Sequence, residues 1–170
     1  MTLPFTVNAT RIDPYKDSRF LVYFGESTIP VAGVSKVSAL KRTSTVIPYK
    51  EGGNAITSKG LGRTEYEPVT LERGVTHSSD FEDWANASQE LVKGQPRTSL
   101  ANLRKPVVRI ELLNEAGQTV KTVKLYNCWV SEFQVMSDLN AGGTGILIEH
   151  IKIEHEGWET DLTQTEPKEI

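Results

Sequence analysis

The stretch YKEGGNAITSKGLGRTEYEPVTLERGV, Tyr49 to Val75, starts and finishes as β-strand but has a middle that a compact domain cannot bury. From Lys50 to Gly62 it holds four glycines and three clearly apolar side chains, Ala55, Ile56 and Leu61. Ordering each backbone residue costs about 1–2 kcal/mol. Burying a modest apolar side chain returns only about 1.5–3 kcal/mol. The segment therefore stays mobile or takes its order from another surface, and it reads as the arm of an extended hairpin over 49–66.

Outward from the arm, the flanks alternate. On the C-terminal side Val69, Leu71 and Val75 point one way, and Thr70 and Glu72 the other. On the N-terminal side, IPVAGVSKVSAL and KRTSTVIPY form one long strand or two joined by a bend, with Thr43, Thr45, Ile47 and Tyr49 on one face. A strand with one wet side suits an antiparallel sheet. RFLVYF, Arg19 to Phe24, is a further strand, rich in β-formers. Residues 1–18, punctuated by Pro4 and Pro14, read as an extended N-terminal arm.

One helix is expected over 79–93. Ser79 with Glu82 makes a capping box. Phe81, Trp84, Ala85, Ser88, Leu91 and Val92 share one face, and Gly94 and Pro96 end the helix. Past the linker, Val108, Ile110 and Leu112 face inward on a strand that turns at Gly117 into QTVKTVKLYNCWVSEFQV. The glycine loop LNAGGTG leads to a last strand, ILIEHIKIEHEGW. The count is about seven strands and one helix. The class is mostly β (α+β), an antiparallel sandwich or barrel with one amphipathic helix. Phe20, Trp84, Trp129 and Phe133 are read as core.

The 170 residues suit a single domain, taken as 19–158, with an acidic tail over 159–170. Net charge is −3, and the tail region carries Glu156, Glu159, Asp161, Glu166 and Glu169 against Lys168, which leaves the body near neutral. No basic stripe points to nucleic acid. No apolar run reaches the ~18 residues of a membrane span, and the N-terminal residues do not read as a secretion signal. The lone Cys128, in YNCWV, reads as a buried, inert thiol.

Catalytic patterns are lacking. His150 and His155 stand an odd number of residues apart on an expected strand, so they face opposite ways and cannot close on one metal. GLGRTE lacks the third glycine of a dinucleotide loop, and AGGTG lacks the lysine of a phosphate loop. No enzyme, cofactor or metal site is expected.

Four pieces together resemble the tail-tube protein family of contractile bacteriophages, which also supplies inner tubes of phage-tail-like contractile injection systems. They are VAGVSKVSAL; VIPYKEGG; GRTEYEPVTLERGVT; and VVRIELLNEAGQTVKTVKLYNCWVSEF with DLNAGGTGILIEHIKIEHEGWE. The likeness spans roughly residues 13–159. It departs in a longer linker, SQELVKGQPRTSLANLRK, and in AGGTG, where many relatives carry a Ser-Ser-Asn-Glu type of turn. The resemblance implies a β-barrel-like fold shared with the haemolysin-coregulated protein of type VI secretion. It also implies a structural subunit forming hexameric rings, stacked into a hollow tube for DNA or effector cargo. Implied partners are further copies of the chain, a contractile sheath protein, and baseplate and tube-terminator proteins, without membrane insertion. Assembly would take place in the bacterial cytoplasm, as part of a virion tail or a tail-like particle.

On this reading Lys50, Glu51, Gly52, Gly53, Asn54, Ile56, Lys59, Leu61 and Arg63 lie on an adjacent subunit or ring. Lys36, Ser38, Arg42 and Ser44 are candidates for the lumen or the inter-ring surface. The alternatives are a tube-initiating or capping paralogue at the baseplate or tube end, and a monomeric β-sandwich module that binds carbohydrate.

Overall fold

The computed structural model describes residues 15–53, 55–93 and 104–161. Nine strands and one helix follow in order within them. They are β1 (Phe20–Phe24), β2 (Val34–Val37), β3 (Arg42–Tyr49), β4 (Ser58–Tyr66), β5 (Val69–Gly74), α1 (Asp80–Val92), β6 (Lys105–Leu113), β7 (Thr119–Gln134), β8 (Ile148–Glu154) and β9 (Gly157–Thr160).

All pairings are antiparallel. Seven strands form one sheet, ordered β1-β6-β7-β8-β5-β2 with β9 also on β7, while β3 and β4 pair only with each other. The spine is β7. Its first part, Thr119–Cys128, pairs β6, and Val123–Tyr126 also pair β9; Trp129–Gln134 then pair β8. The change of partner falls beside Asn127, whose φ of 52° lies in the left-handed region that Asn tolerates better than most residues. Its side-chain amide donates to Glu156 Oε2 (2.6 Å).

One core joins both halves. Val22, Val108 and Ile110 meet Val69, Leu71, Ile151 and Ile153, with Leu125, Cys128 and Val130 of β7 between them. Helix α1 closes this core with Phe81, Trp84 and Ala85, the first three residues of the expected face. Ser79 stands just before the helix, where its hydroxyl donates to Asp83 Oδ2 (2.7 Å) in place of the expected box with Glu82. The Asp83 amide bonds the Ser79 carbonyl (2.8 Å), so backbone and side chain meet at the same residue. The residues expected to end the helix, Gly94 and Pro96, lie outside the described residues.

The β6–β7 turn follows its sequence. Gly117 takes φ 81° and donates to the Asn114 carbonyl (3.1 Å), and the Asn114 side chain accepts from the Gln118 amide (2.8 Å). Several expectations change. Of the two readings of the N-terminal stretch the structure takes the second, two strands β2 and β3 separated by residues 38–41, and the hairpin begins earlier than 49, at Arg42. Val75 keeps the parity of the inward Val69, Leu71 and Arg73 but is exposed, because β5 ends at Gly74 before reaching it. The region assigned to an acidic tail from 159 is strand as far as Thr160, with the Asp161 amide bonded to the Thr122 carbonyl (2.9 Å). Of the expected N-terminal arm, residues 1–14 lie outside the described residues, and Tyr15–Arg19 are exposed.

Candidate assembly surface

The β3–β4 hairpin stands off the body. Four residues of the segment Lys50–Gly62, read as too poor in apolar side chains to order within the chain, are paired strand: Ser58, Lys59, Gly60 and Leu61 pair Tyr49, Pro48, Ile47 and Val46. The physical reason is the β-forming run of β3, which offers a row of backbone donors and acceptors that glycine can also meet. The register shifts between Ser44↔Thr64 and Val46↔Leu61, so β4 carries an extra residue. Gly62 sits in that bulge. A Cβ there would lie 2.7 Å from the Thr45 carbonyl oxygen, so the position has no room for a side chain.

The root of the hairpin is tied to the body. Tyr66 packs edge-on against Trp158 (5.1 Å between ring centroids) and beside His155 (5.8 Å), over Gly157. His155 Nε2 donates to the Glu67 carbonyl (3.0 Å), and the Glu67 amide donates to the Lys41 carbonyl (3.0 Å). Lys41 Nζ lies 2.6 Å from the Glu67 carboxylate. Past this joint, large apolar side chains stand in the open: Val46, Ile47, Tyr49, Ile56 and Leu61 are each more than half exposed.

Of the arm residues named from the sequence, Lys50, Glu51, Gly52 and Gly53 form the exposed tip, Lys59, Leu61 and Arg63 lie on β4, and Asn54 lies outside the described residues. The lumen candidates divide between two elements. Lys36 ion-pairs with Glu72 (2.9 Å), and the Ser38 hydroxyl accepts the Thr70 amide (2.9 Å), both along the β2 edge. Arg42 and Ser44 belong to the hairpin, where the Ser44 and Thr64 hydroxyls share a hydrogen bond (2.9 Å).

The outward face of β5, β8 and the end of β7 is polar. Glu72 stands opposite His150, Thr70 opposite Lys152, and Glu132 also opposite Lys152. His150 Nε2 lies 3.1 Å from Glu132, while the His155 ring joins the aromatic cluster, so the two histidines do separate. Among the described residues no three His, Cys, Asp or Glu side chains gather as a metal site. Cys128 is fully buried, and burial pushes its thiol up to about 12, so it stays protonated. Trp84 is core, whereas Trp129, also read as core, is 38% exposed. It lines an open groove of about 840 Å³ between α1 and β7, with Ala85, Gln89 and Phe133.

The sequence reading missed Arg73. Its side chain is fully buried, with Nε 2.5 Å from Glu149, Nη2 donating to the Ser78 carbonyl (2.7 Å), and its guanidinium 4.2 Å from the Phe81 ring centre. It holds β5, β8 and the approach to α1 together. The signal was present: in Val69-Thr-Leu71-Glu-Arg73, Arg73 shares the inward parity and needs an inward acid.

The family model described as T4-like virus tail tube protein gp19 matches residues 16–159. Among solved structures, a chain of the anti-feeding prophage baseplate is 26% identical, with a TM-score of 0.69 over 88% of this chain and 97% of that one. The fold is also similar to a chain of the sheath–tube complex of the extracellular contractile injection system PVC (22% identity, TM-score 0.69, 87% and 91% covered). A chain of the anti-feeding prophage tube-terminating cap gives 18% identity and a TM-score of 0.72 over 94% and 99%. A search of curated sequences gives no significant match. With a mostly antiparallel β body, an outlying hairpin and a family match over nearly all the described residues, this chain belongs to the tail tube protein family of contractile tails and injection systems.

Proposed function

We propose that this chain is the repeating subunit of an inner tube, six copies closing a ring and rings stacking around a hollow lumen. The observation that carries the reading is the hairpin. Among the described residues its strands pair only with each other, it is anchored at Tyr66 and Glu67, and it carries apolar side chains in the open. A two-stranded ribbon is marginally stable alone, so it gains lasting order by lying on another copy. Repeated head-to-tail contacts of this kind close a ring or extend a stack. The 26%-identical chain comes from a baseplate described as 6-fold symmetrised, which supports six copies here.

The polar strand face with Lys36, Glu72, Lys152 and Glu132 is the surface best suited to line the lumen. Charges of both signs keep cargo, DNA or an effector protein, from sticking to one patch. Sheath, baseplate and terminator proteins are the further partners, assembly takes place in the bacterial cytoplasm, and the role is mechanical and not enzymatic.

Electron microscopy of the purified protein tests this: rings or tubes are expected as concentration rises. Deleting residues 54–59 should abolish stacking and leave the circular dichroism of the body unchanged; normal tubes from the deletion would overturn the reading. In purified particles, a copy number matching the sheath protein identifies the repeating subunit. A handful of copies per particle would instead place the chain at a tube end.

A further inference from the structure

We propose that the hairpin is a two-sided wedge, each of its faces covered by a different neighbouring copy of the chain. The inference deepens the tube reading and rests on it. In an antiparallel pair, residues directly opposite share a face, and alternate residues return to it. Val46 stands opposite Leu61 and Pro48 opposite Lys59, so these four lie on one face. Ile47 and Tyr49, opposite Gly60 and Ser58, lie on the other.

A ribbon that rests on one surface keeps its apolar residues on one side. This one does not. Val46 and Leu61 are 55% and 82% exposed on the first face, and Ile47 and Tyr49 are 55% and 59% exposed on the second. Covering either face alone leaves two large apolar side chains in water on the opposite side. Among the described residues the body covers neither face: these four side chains are each more than half exposed, and the body's contacts lie at the root, Tyr66 and Glu67.

The second face is also shaped for close approach. On β4 it presents glycine at Gly60, where an added Cβ would meet only the Ile47 carbonyl within 4 Å. A strand glycine of this kind lets another backbone come near. The two faces therefore ask for different neighbours, an aliphatic surface over Val46 and Leu61 and a closely approaching chain over Ile47 and Tyr49. Copies of this chain offer exposed apolar side chains of their own at Val135, Met136, Leu139 and Ile146. One arm gripped by two copies ties three subunits together.

Cross-linking tests the wedge. Cys128 is the sole cysteine and is buried, so Leu61→Cys and Ile47→Cys each provide one reactive thiol for a benzophenone photo-cross-linker. Protein labelled at one or both positions is diluted into an excess of unlabelled protein, assembled and irradiated. Each single label should give covalent dimers, with adducts on two different sets of peptides, and the double label should give trimers. A double label that stops at dimers, or one position that gives no intermolecular adduct, overturns the wedge. In parallel, Leu61→Asp and Ile47→Asp should each lower tube yield about tenfold or more with an unchanged monomer spectrum. Full assembly by one of the two would leave the tube reading standing and sink the wedge. Unmodified protein that never assembles sinks the tube reading and this proposal with it.

Discussion

In α1, Phe81, Trp84 and Ala85 recur on one side and are no more than 7% exposed; in the β3–β4 hairpin, Val46, Ile47, Tyr49 and Leu61 fall on both sides and none is less than 55% exposed. Both elements carry large apolar residues. They differ in where the partner is. The helix finds β7 and β8 of its own chain, so its apolar positions keep one period and one face. Beyond its root at Tyr66 and Glu67, the hairpin's apolar side chains stay exposed among the described residues. Its apolar positions follow neither a core nor a solvent pattern, and the proposed wedge accounts for that mismatch by surfaces that other copies supply. A body substitution should therefore change folding, and an arm substitution should change association.

The largest expected effects lie in the body. Arg73→Ala strands Glu149 as a buried, unpaired carboxylate and should cost about 3–5 kcal/mol. Phe81→Ala empties the core beside it and should cost a similar ~3–5 kcal/mol. In a domain of this size either loss lowers Tm by roughly 10 °C, measured by calorimetry. A Tm within a degree or two of the parent would mean that the clamp and the helix contact are not formed.

Next in size is a separation of amide exchange. In the free subunit β3 and β4 should exchange orders of magnitude faster than β7, and in assembled tubes they should become protected. Equal protection in the free subunit would erase the contrast. A smaller effect is expected for Gly62→Ala, which pushes a methyl toward the Thr45 carbonyl. It should destabilise the hairpin by about 1–2 kcal/mol, visible in the exchange of β3 and β4 and absent from the global Tm.

The smallest effect belongs to the exposed Lys16–Glu115 ion pair at the β6–β7 turn. The hydrogen bond and charge of Lys16 hold the Glu115 carboxyl below its ordinary 4.5. Because the folded value is the lower one, the contribution is present above 4.5 and fades as pH falls through the depressed value. A carboxyl titration followed by NMR should show a midpoint under 4.5; a midpoint at 4.5 or above would show the contact unformed.

Much of the body was legible because periodicity reports burial. The helix face, the inward Val108 and Ile110, and the turn at Gly117 all follow from spacing and from one glycine. What spacing could not give was pairing. Nothing local in β4 says that Ser58–Leu61 would be strand; its partner row on β3 decides that. Trp129 was read as core as a large aromatic within a strand, yet it stands between the buried Cys128 and Val130 and so takes the outward side of β7. For the assembly surface, the sequence marked the arm by its glycines. It also held Val46, Ile47 and Tyr49, but their two-sidedness needs the register with β4.

The sixteen residues of β7 run unbroken from the half that bears β1, β6 and β9 to the half that bears β8, β5 and β2. Sliding one half past the other would have to strip backbone hydrogen bonds from both edges of a single strand at once. The body thus takes a push along that strand as one stiff block. Compliance is left to the short joint at Tyr66 and Glu67, so a train of such subunits would bend at its couplings while each carriage keeps its shape.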